Sequence, residues 1–124
     1  MAMKRVFFSF DFDNDQALKT MMQGQLKFPA SPFKAADWSM KEAAPQRKWE
    51  QEADSRIKRS DVVVVLLGTY THRAPGVRKE VAMARRHGIR LVQVILKRGS
   101  NPTRVRDGGR VIRWSWPNLK SVLS

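Results

Sequence analysis

Residues 60–80 read SDVVVVLLGTYTHRAPGVRKE, and the first third of this stretch decides the fold. Val62, Val63, Val64, Val65, Leu66 and Leu67 follow one another without a polar interruption. A strand with one wet face alternates apolar and polar residues, whereas a strand covered on both faces does not. The run is short and β-branched and stops at Gly68, which favours strand over helix. A strand covered on both faces predicts a central parallel strand between two helical layers. A Thr-Tyr-Thr turn follows, and then a helix bearing Glu80. Open parallel sheets take ligands outside the carboxyl ends of their strands, so the same stretch indicates where chemistry belongs.

Working outward, Lys4–Phe12 predicts a first strand through Val6, Phe7, Phe8 and Phe10, with Asp11 marking its end. Asp13 or Asn14 is placed to cap a helix running to about Gln23, with Ala17, Leu18, Met21 and Met22 on its apolar side. Pro29 and Pro32 leave room for at most a short edge strand within 25–33. Residues 34–44 read as a loop around Asp37-Trp38-Ser39. A second helix is expected from Pro45, its buried stripe made by Trp49, Ala53 and Ile57, with Glu52 and Arg56 as an i,i+4 pair. Gly88 is expected to end the Glu80 helix. A strand over 89–96, a loop over 98–110, a short strand over 111–114 and a closing helix over 117–123 complete the chain. Strands alternating with helices predict a single α/β domain over residues 1–124, a flavodoxin-like three-layer sandwich. Its five-stranded, mostly parallel sheet takes the order 2-1-3-4-5. That order sets the loops 11–15 and 68–76 side by side, and the site is predicted between them.

Composition narrows the chemistry. The 124 residues contain no cysteine, which excludes disulfides, thiolate catalysis and thiolate metal sites and fits a cytoplasmic protein. Only His72 and His87 are present, so no histidine-rich metal site is expected. No apolar stretch approaches the roughly 20 residues of a membrane helix, and no signal peptide is expected. The formal charge of +13 is uneven. Residues 1–62 hold 11 Lys/Arg against 9 Asp/Glu, a net +2, and residues 63–124 hold 13 against 2, a net +11. That field attracts nucleotides, nucleic acid or an acidic protein, or else is a solvated surface.

Glu80 is one of two acids after residue 62. Its helical phase lies about 40–60° from the centre of the stripe made by Val77, Val81 and Ala84, which predicts the edge of the apolar face. Such a carboxylate is either the partner of a nearby arginine or a group facing the ligand crevice. A lone carboxylate suits cleavage of an N-ribosyl bond. The pyridinium of NAD departs neutral and needs no general acid, and the oxocarbenium-like transition state is cationic. The phosphate loop GxxxxGK[ST] and the fingerprint GxGxxG are both absent, and the histidines have no orienting acid in view. Phe10 and Trp38 are candidates for stacking on a base or for packing, and Ser9, Thr69 and Thr71 for holding ribose and phosphate oxygens or for closing turns.

The order of the segments resembles a TIR-like domain. The segments are FFSF at 7–10, Asp13, DWS at 37–39, ADSRIKRSDVVVVLLG at 53–68, the GxxT of Gly68–Thr71 and VRKEVAMA at 77–84. The ending VIRWSWPNLK at 111–120 is similar to the small prokaryotic subgroup that includes the Thoeris antiphage TIR-like protein. The resemblance implies the flavodoxin-like fold and, for active members, NAD cleavage or cyclisation of the ADP-ribose product into a signal. It implies Glu80 as the essential glutamate, Phe10 and Asp13 in the nucleotide pocket, and Ser39 in the mobile loop after the second strand. Where the family usually carries a tryptophan before the valine of the glutamate helix, this chain has Gly76, preceded by Pro75.

Three readings follow. The first is an NAD glycohydrolase or cyclase with NAD as substrate and no permanently bound cofactor. Glu80 is its catalytic carboxylate, with Ser9, Phe10, Asp13, Ser39, Gly68 and Thr71 holding the nucleotide and self-association or a partner as trigger. The second is a non-catalytic interaction module docking other TIR domains or an acidic protein through the basic half. The third is nucleic-acid binding at the loop Lys97–Arg113, where six cations face Asp107 alone and Trp114 and Trp116 follow.

Overall fold

The computed structural model describes residues 4–28, 31, 33–40 and 46–123. Among the described residues five strands and four helices alternate as far as β4, after which β5 follows with no intervening helix: β1 (Lys4–Ser9), α1 (Gln16–Leu26), β2 (Phe33–Trp38), α2 (Gln46–Lys58), β3 (Val62–Leu66), α3 (Pro75–Arg86), β4 (Arg90–Ile95), β5 (Arg110–Arg113) and α4 (Trp116–Leu123). A single 3-10 turn, Thr71–Arg73, precedes α3. The strands form one sheet in the order β2-β1-β3-β4-β5, and every pairing is parallel. This is the expected flavodoxin-like α/β fold, with β1 and β3 adjacent where the strand order reverses.

Every residue of β3 is buried, as its unbroken apolar run demands. Side chains alternate between two cores. Val62, Val64 and Leu66 join Val6, Phe8 and Phe10 under α1 and α4, where Leu18, Met22, Leu119 and Val122 cover them. Val63 joins Phe7 on the opposite face beneath Ala53 and Ile57 of α2 and Met83 and Ala84 of α3. Val65 and Leu67 extend that face toward Val77 and Val81. The stripe of Trp49, Ala53 and Ile57 is buried as expected, and Arg56 binds Glu52 at 2.8 Å. Gly88 follows α3 in the left-handed region, at φ 67°.

Several boundaries differ from expectation. β1 ends at Ser9 rather than Phe12, because Asp11 and the residues after it turn into the α1 entry. The α1 N-cap is Asp15, and no side chain caps it; Asn14 donates to Asp11 Oδ2 at 2.7 Å. Met22 is core, but Met21 is 47 % exposed, since its position on α1 faces away from the sheet. The loop expected over 34–44 contains β2, whose KAADW segment offers no β-branched residue as a signal. It is an edge strand made by pairing with β1, with Val6 opposite Ala36. The expectations at Pro29 and Pro32, and for a helix start at Pro45, lie outside the described residues.

The 98–110 loop is pinned from beneath. Gln93 of β4 is fully buried, and its amide is spent on this loop. Nε2 donates to the carbonyls of Val105 and Gly109 at 3.1 and 2.9 Å, and Oε1 accepts from Val105 N–H at 2.6 Å. Gly109 sits at φ 89°, where an added Cβ would lie 2.3 Å from the Leu91 carbonyl oxygen. The glycines serve close approach rather than freedom. Gln93→Leu keeps the volume but strands those three backbone groups, so it is expected to cost about 2–4 kcal/mol. Urea unfolding of the variant reads this as a lower midpoint at unchanged slope. A midpoint equal to wild type would mean the loop holds itself.

Candidate functional site

A cleft of about 410 Å³ opens at the carboxyl ends of β1 and β3. Residues 10–14 form one wall and residues 70 and 73–77 the other, with Ser39, Met40 and Trp49 closing the back and Glu80 at the base. This is the crevice anticipated at the point of strand reversal.

Glu80 organises the base of the cleft. It lies on α3 and is 1 % exposed, so it sits deeper than the stripe edge predicted for it. The reason is Ser9, the last residue of β1, which faces α3 where an apolar residue would otherwise continue the core. Ser9 Oγ donates to Glu80 Oε1 at 2.7 Å, and Ser39 Oγ approaches the same oxygen at 2.6 Å. Ser39 also accepts the Phe10 N–H at 3.0 Å. It is therefore a buried, fixed link directly after β2 rather than part of a mobile loop. Two hydroxyls converging on one oxygen give the buried carboxyl group hydrogen bonds in place of water.

The other expected site residues divide. Phe10 lines the cleft but is 2 % exposed, packed edge-on against Trp38 at 6.3 Å. Trp38 stacks on Phe8 at 4.5 Å and belongs to the core. Asp13 is an exposed residue on the cleft wall. Thr71 and Gly68 do not line the cleft. Thr71 is fully buried; its Oγ1 accepts the Gly68 N–H at 2.7 Å and donates to Asp15 Oδ2 at 3.1 Å. Gly68 is glycine because the Asp15 carboxylate occupies the space of a Cβ, with Oδ2 2.3 Å from where that atom would be. These residues latch the two loops together, which fulfils the expected juxtaposition by structural means.

Sequence reasoning missed Tyr70 and Arg73. Both line the cleft, with the Arg73 guanidinium 5.6 Å from the Tyr70 ring centre. Their signal was position alone: they follow the central strand in the predicted ligand loop, but no spacing marks them. Trp49, read only as core, also reaches the cleft, its Nε1 donating to the Met40 carbonyl at 3.1 Å. Pro75 opens α3 with no side-chain cap and no acid in the first turn, so the positive end of that helix borders the cleft. No cluster of three or more metal-ligating side chains occurs among the described residues. No described helix is long and apolar enough to cross a membrane.

An all-parallel sheet of order 2-1-3-4-5, with a buried glutamate on the helix after its third strand, defines a TIR-like α/β protein. The model of one family, described as Thoeris protein ThsB, TIR-like domain, matches residues 7–101. The chain belongs to that family. No curated protein matches it.

The latch carries a pH signature. Burial pushes the Asp15 carboxyl above its ordinary value of 3.8; the Thr71 hydroxyl pulls it partly back, and the Asp11 charge adds to the rise. The folded chain thus holds this proton more tightly than the unfolded chain. Stability from this group is lost as pH rises through the window between 3.8 and the raised folded value. Asp15→Asn still accepts from Thr71 without a buried charge. Its unfolding midpoint relative to wild type is therefore expected to be higher at about pH 7 than at about pH 4. The opposite order would remove burial as the cause.

Proposed function

We propose that this chain cleaves the nicotinamide–ribose bond of NAD, releasing or cyclising ADP-ribose as a nucleotide signal in bacterial antiphage defence. The observation that carries the reading is Glu80: an acid at the base of the cleft, on the helix after β3, with two serine hydroxyls fixed on one of its oxygens. The bond from ribose C1′ to the pyridinium nitrogen breaks with its electron pair leaving on nicotinamide, which departs neutral. Positive charge then develops on C1′ and the ring oxygen, and a preorganised carboxylate opposes it without reorganisation. Water adds at C1′ and gives up its proton in hydrolysis; a nucleophile of the ADP-ribose itself does so in cyclisation. Asp13 is positioned at the wall for ribose hydroxyls. Arg73, the cation lining the cleft among the described residues, suits the pyrophosphate. Gly76, preceded by Pro75, stands where the family resemblance places a tryptophan, so that wall carries no indole.

Concentrated protein incubated with NAD is expected to release nicotinamide, with self-association as the activating condition. Glu80→Gln is expected to lower the rate by about 10²-fold or more. Ser39→Ala removes one charge-assisted hydrogen bond and is expected to lower it by about 10-fold, with Glu80 still held by Ser9. Equal release by wild type and Glu80→Gln under those conditions would defeat the reading.

The burial of Glu80 favours a second reading, a non-catalytic interaction module in which the carboxylate ties α3 to β1 and β2. It expects Glu80→Gln to lower thermal stability while partner capture from host lysate persists and NAD stays intact.

A further inference from the structure

A second cleft, of about 330 Å³, lies at the carboxyl ends of β4 and β5 and shares no residue with the Glu80 cleft. Lys97, Arg98, Arg113 and Trp114 line it over an apolar base of Ile95 and Leu96. We propose that it is a binding site for single-stranded nucleic acid.

The three cations are exposed. The ion pairs among the described residues all lie elsewhere, on Glu50, Glu52 and Asp54. Lys97, Arg98 and Arg113 are therefore not neutralised by a neighbouring carboxylate there. They also stand on a fixed frame. Trp114 N–H donates to the Ile95 carbonyl at 3.0 Å, Asn118 Nδ2 to the Arg113 carbonyl at 3.0 Å, and Arg113 Nη1 to the Ser100 carbonyl at 3.1 Å. The Gln93 plug holds the loop between them. Trp114 is partly buried, braced by the Trp116 ring at 4.9 Å and 65°, so its indole is held at the cleft wall. Arg104 and Arg106 on the loop before β5, and Arg110 at its first residue, add exposed positive charge outside the cleft lining, and the one acid in that segment is Asp107.

Fixed cations for phosphates beside a braced aromatic for a base are what a single strand requires, and strand binding without sequence preference uses that pair of features. An acidic protein supplies charge, but its carboxylates do not come paired, unit by unit, with a planar base as phosphates do in a strand. A free mononucleotide supplies one phosphate unit, whereas three cations line the cleft.

The experiment titrates the full chain with a labelled oligothymidylate of about 15 nucleotides over roughly 50–200 mM salt, reading anisotropy and tryptophan emission. Binding is expected to weaken steeply with salt and to quench tryptophan. The triple variant Lys97→Gln/Arg98→Gln/Arg113→Gln is expected to flatten the log–log slope by about two units, at roughly 0.7 per phosphate contact, and to abolish the quench. Arg104→Gln/Arg106→Gln/Arg110→Gln removes the same charge and is expected to flatten the slope less and to keep the quench. Trp114→Phe is expected to lose most of the quench at nearly unchanged slope. Equal slopes in the two triple variants would reduce the site to diffuse charge and overturn the proposal. Displacement of the strand by polyglutamate at equal charge concentration would overturn it in favour of an acidic protein. Displacement by thymidine monophosphate at the strand's own concentration would overturn it in favour of a mononucleotide. None of these readings involves Glu80, so failure of NAD cleavage leaves them unaffected.

Discussion

Val62–Leu66 has no wet face, and the other layers answer to that constraint. Six consecutive apolar side chains, Leu67 included, must be covered from both sides, and only helices returning over the sheet can do so while the neighbouring strands run parallel. The two cores differ in kind. Under α1 and α4 the packing is aromatic, with Trp38 in ring contact with both Phe8 and Phe10. Under α2 and α3 the ring of Phe7 packs among smaller aliphatic side chains, with Ala53 and Ala84 letting the helices approach. The small side is where α3 comes close enough for Glu80 to reach the end of β1.

Placing β1 beside β3 sends the chain away in opposite directions on either side of that pair, so the loops at their carboxyl ends part and leave a crevice. This chain uses that opening twice. The Thr71–Asp15 latch, fitted over Gly68, keeps the two loops at a set separation. Ser9 and Ser39 then deliver their hydroxyls from adjacent strands β1 and β2 to a single carboxylate oxygen on α3. Lys79 with Glu50, and Arg86 and His87 with Asp54, fasten α3 to α2 from outside. Asp54 is pushed up by burial, but hydrogen bonds from His87 and Arg86 outweigh this and hold its carboxyl below the ordinary range. These largely exposed pairs add little stability individually; the buried stripe of Val77, Val81 and Ala84 is what turns the Glu80 face of α3 inward.

What was legible in the sequence follows the strength of the local pattern. The β3 run, the Trp49–Ala53–Ile57 stripe and the α3 stripe are dictated by burial and could be read residue by residue. β2 could not, because KAADW carries no strand propensity and becomes a strand only by pairing with β1. Glu80 was legible as a residue but not as a depth. Helical phase gives an angle about the helix axis, while burial depends on what the facing strand presents, and Ser9 supplies the polar contact that lets the carboxylate go deeper. Thr71 and Gly68 were legible as neighbours of the site but not as members of the loop latch, since a short polar turn looks the same whether it faces a ligand or closes a loop. Tyr70 and Arg73 were invisible for the same reason: single residues on a ligand-side turn carry no period.

Burying a carboxylate is expensive unless hydrogen bonds replace its water, so Glu80 cannot be a by-product of packing. An alanine at this point of α3 would join Val77, Val81 and Ala84 and continue the core without any serine partners. The chain instead places hydroxyls at the ends of two strands to hydrogen-bond the carboxyl group, where the strands part and the crevice begins. The same hydrogen bonds also close the fold, because Ser39 joins the end of β2 to Phe10 and to α3 at once. The contacts that close the fold and the base of the cleft therefore share one oxygen atom. Any group that takes Oε1 for itself must compete with both serines, which ties occupancy of the cleft to the packing of the β2 edge.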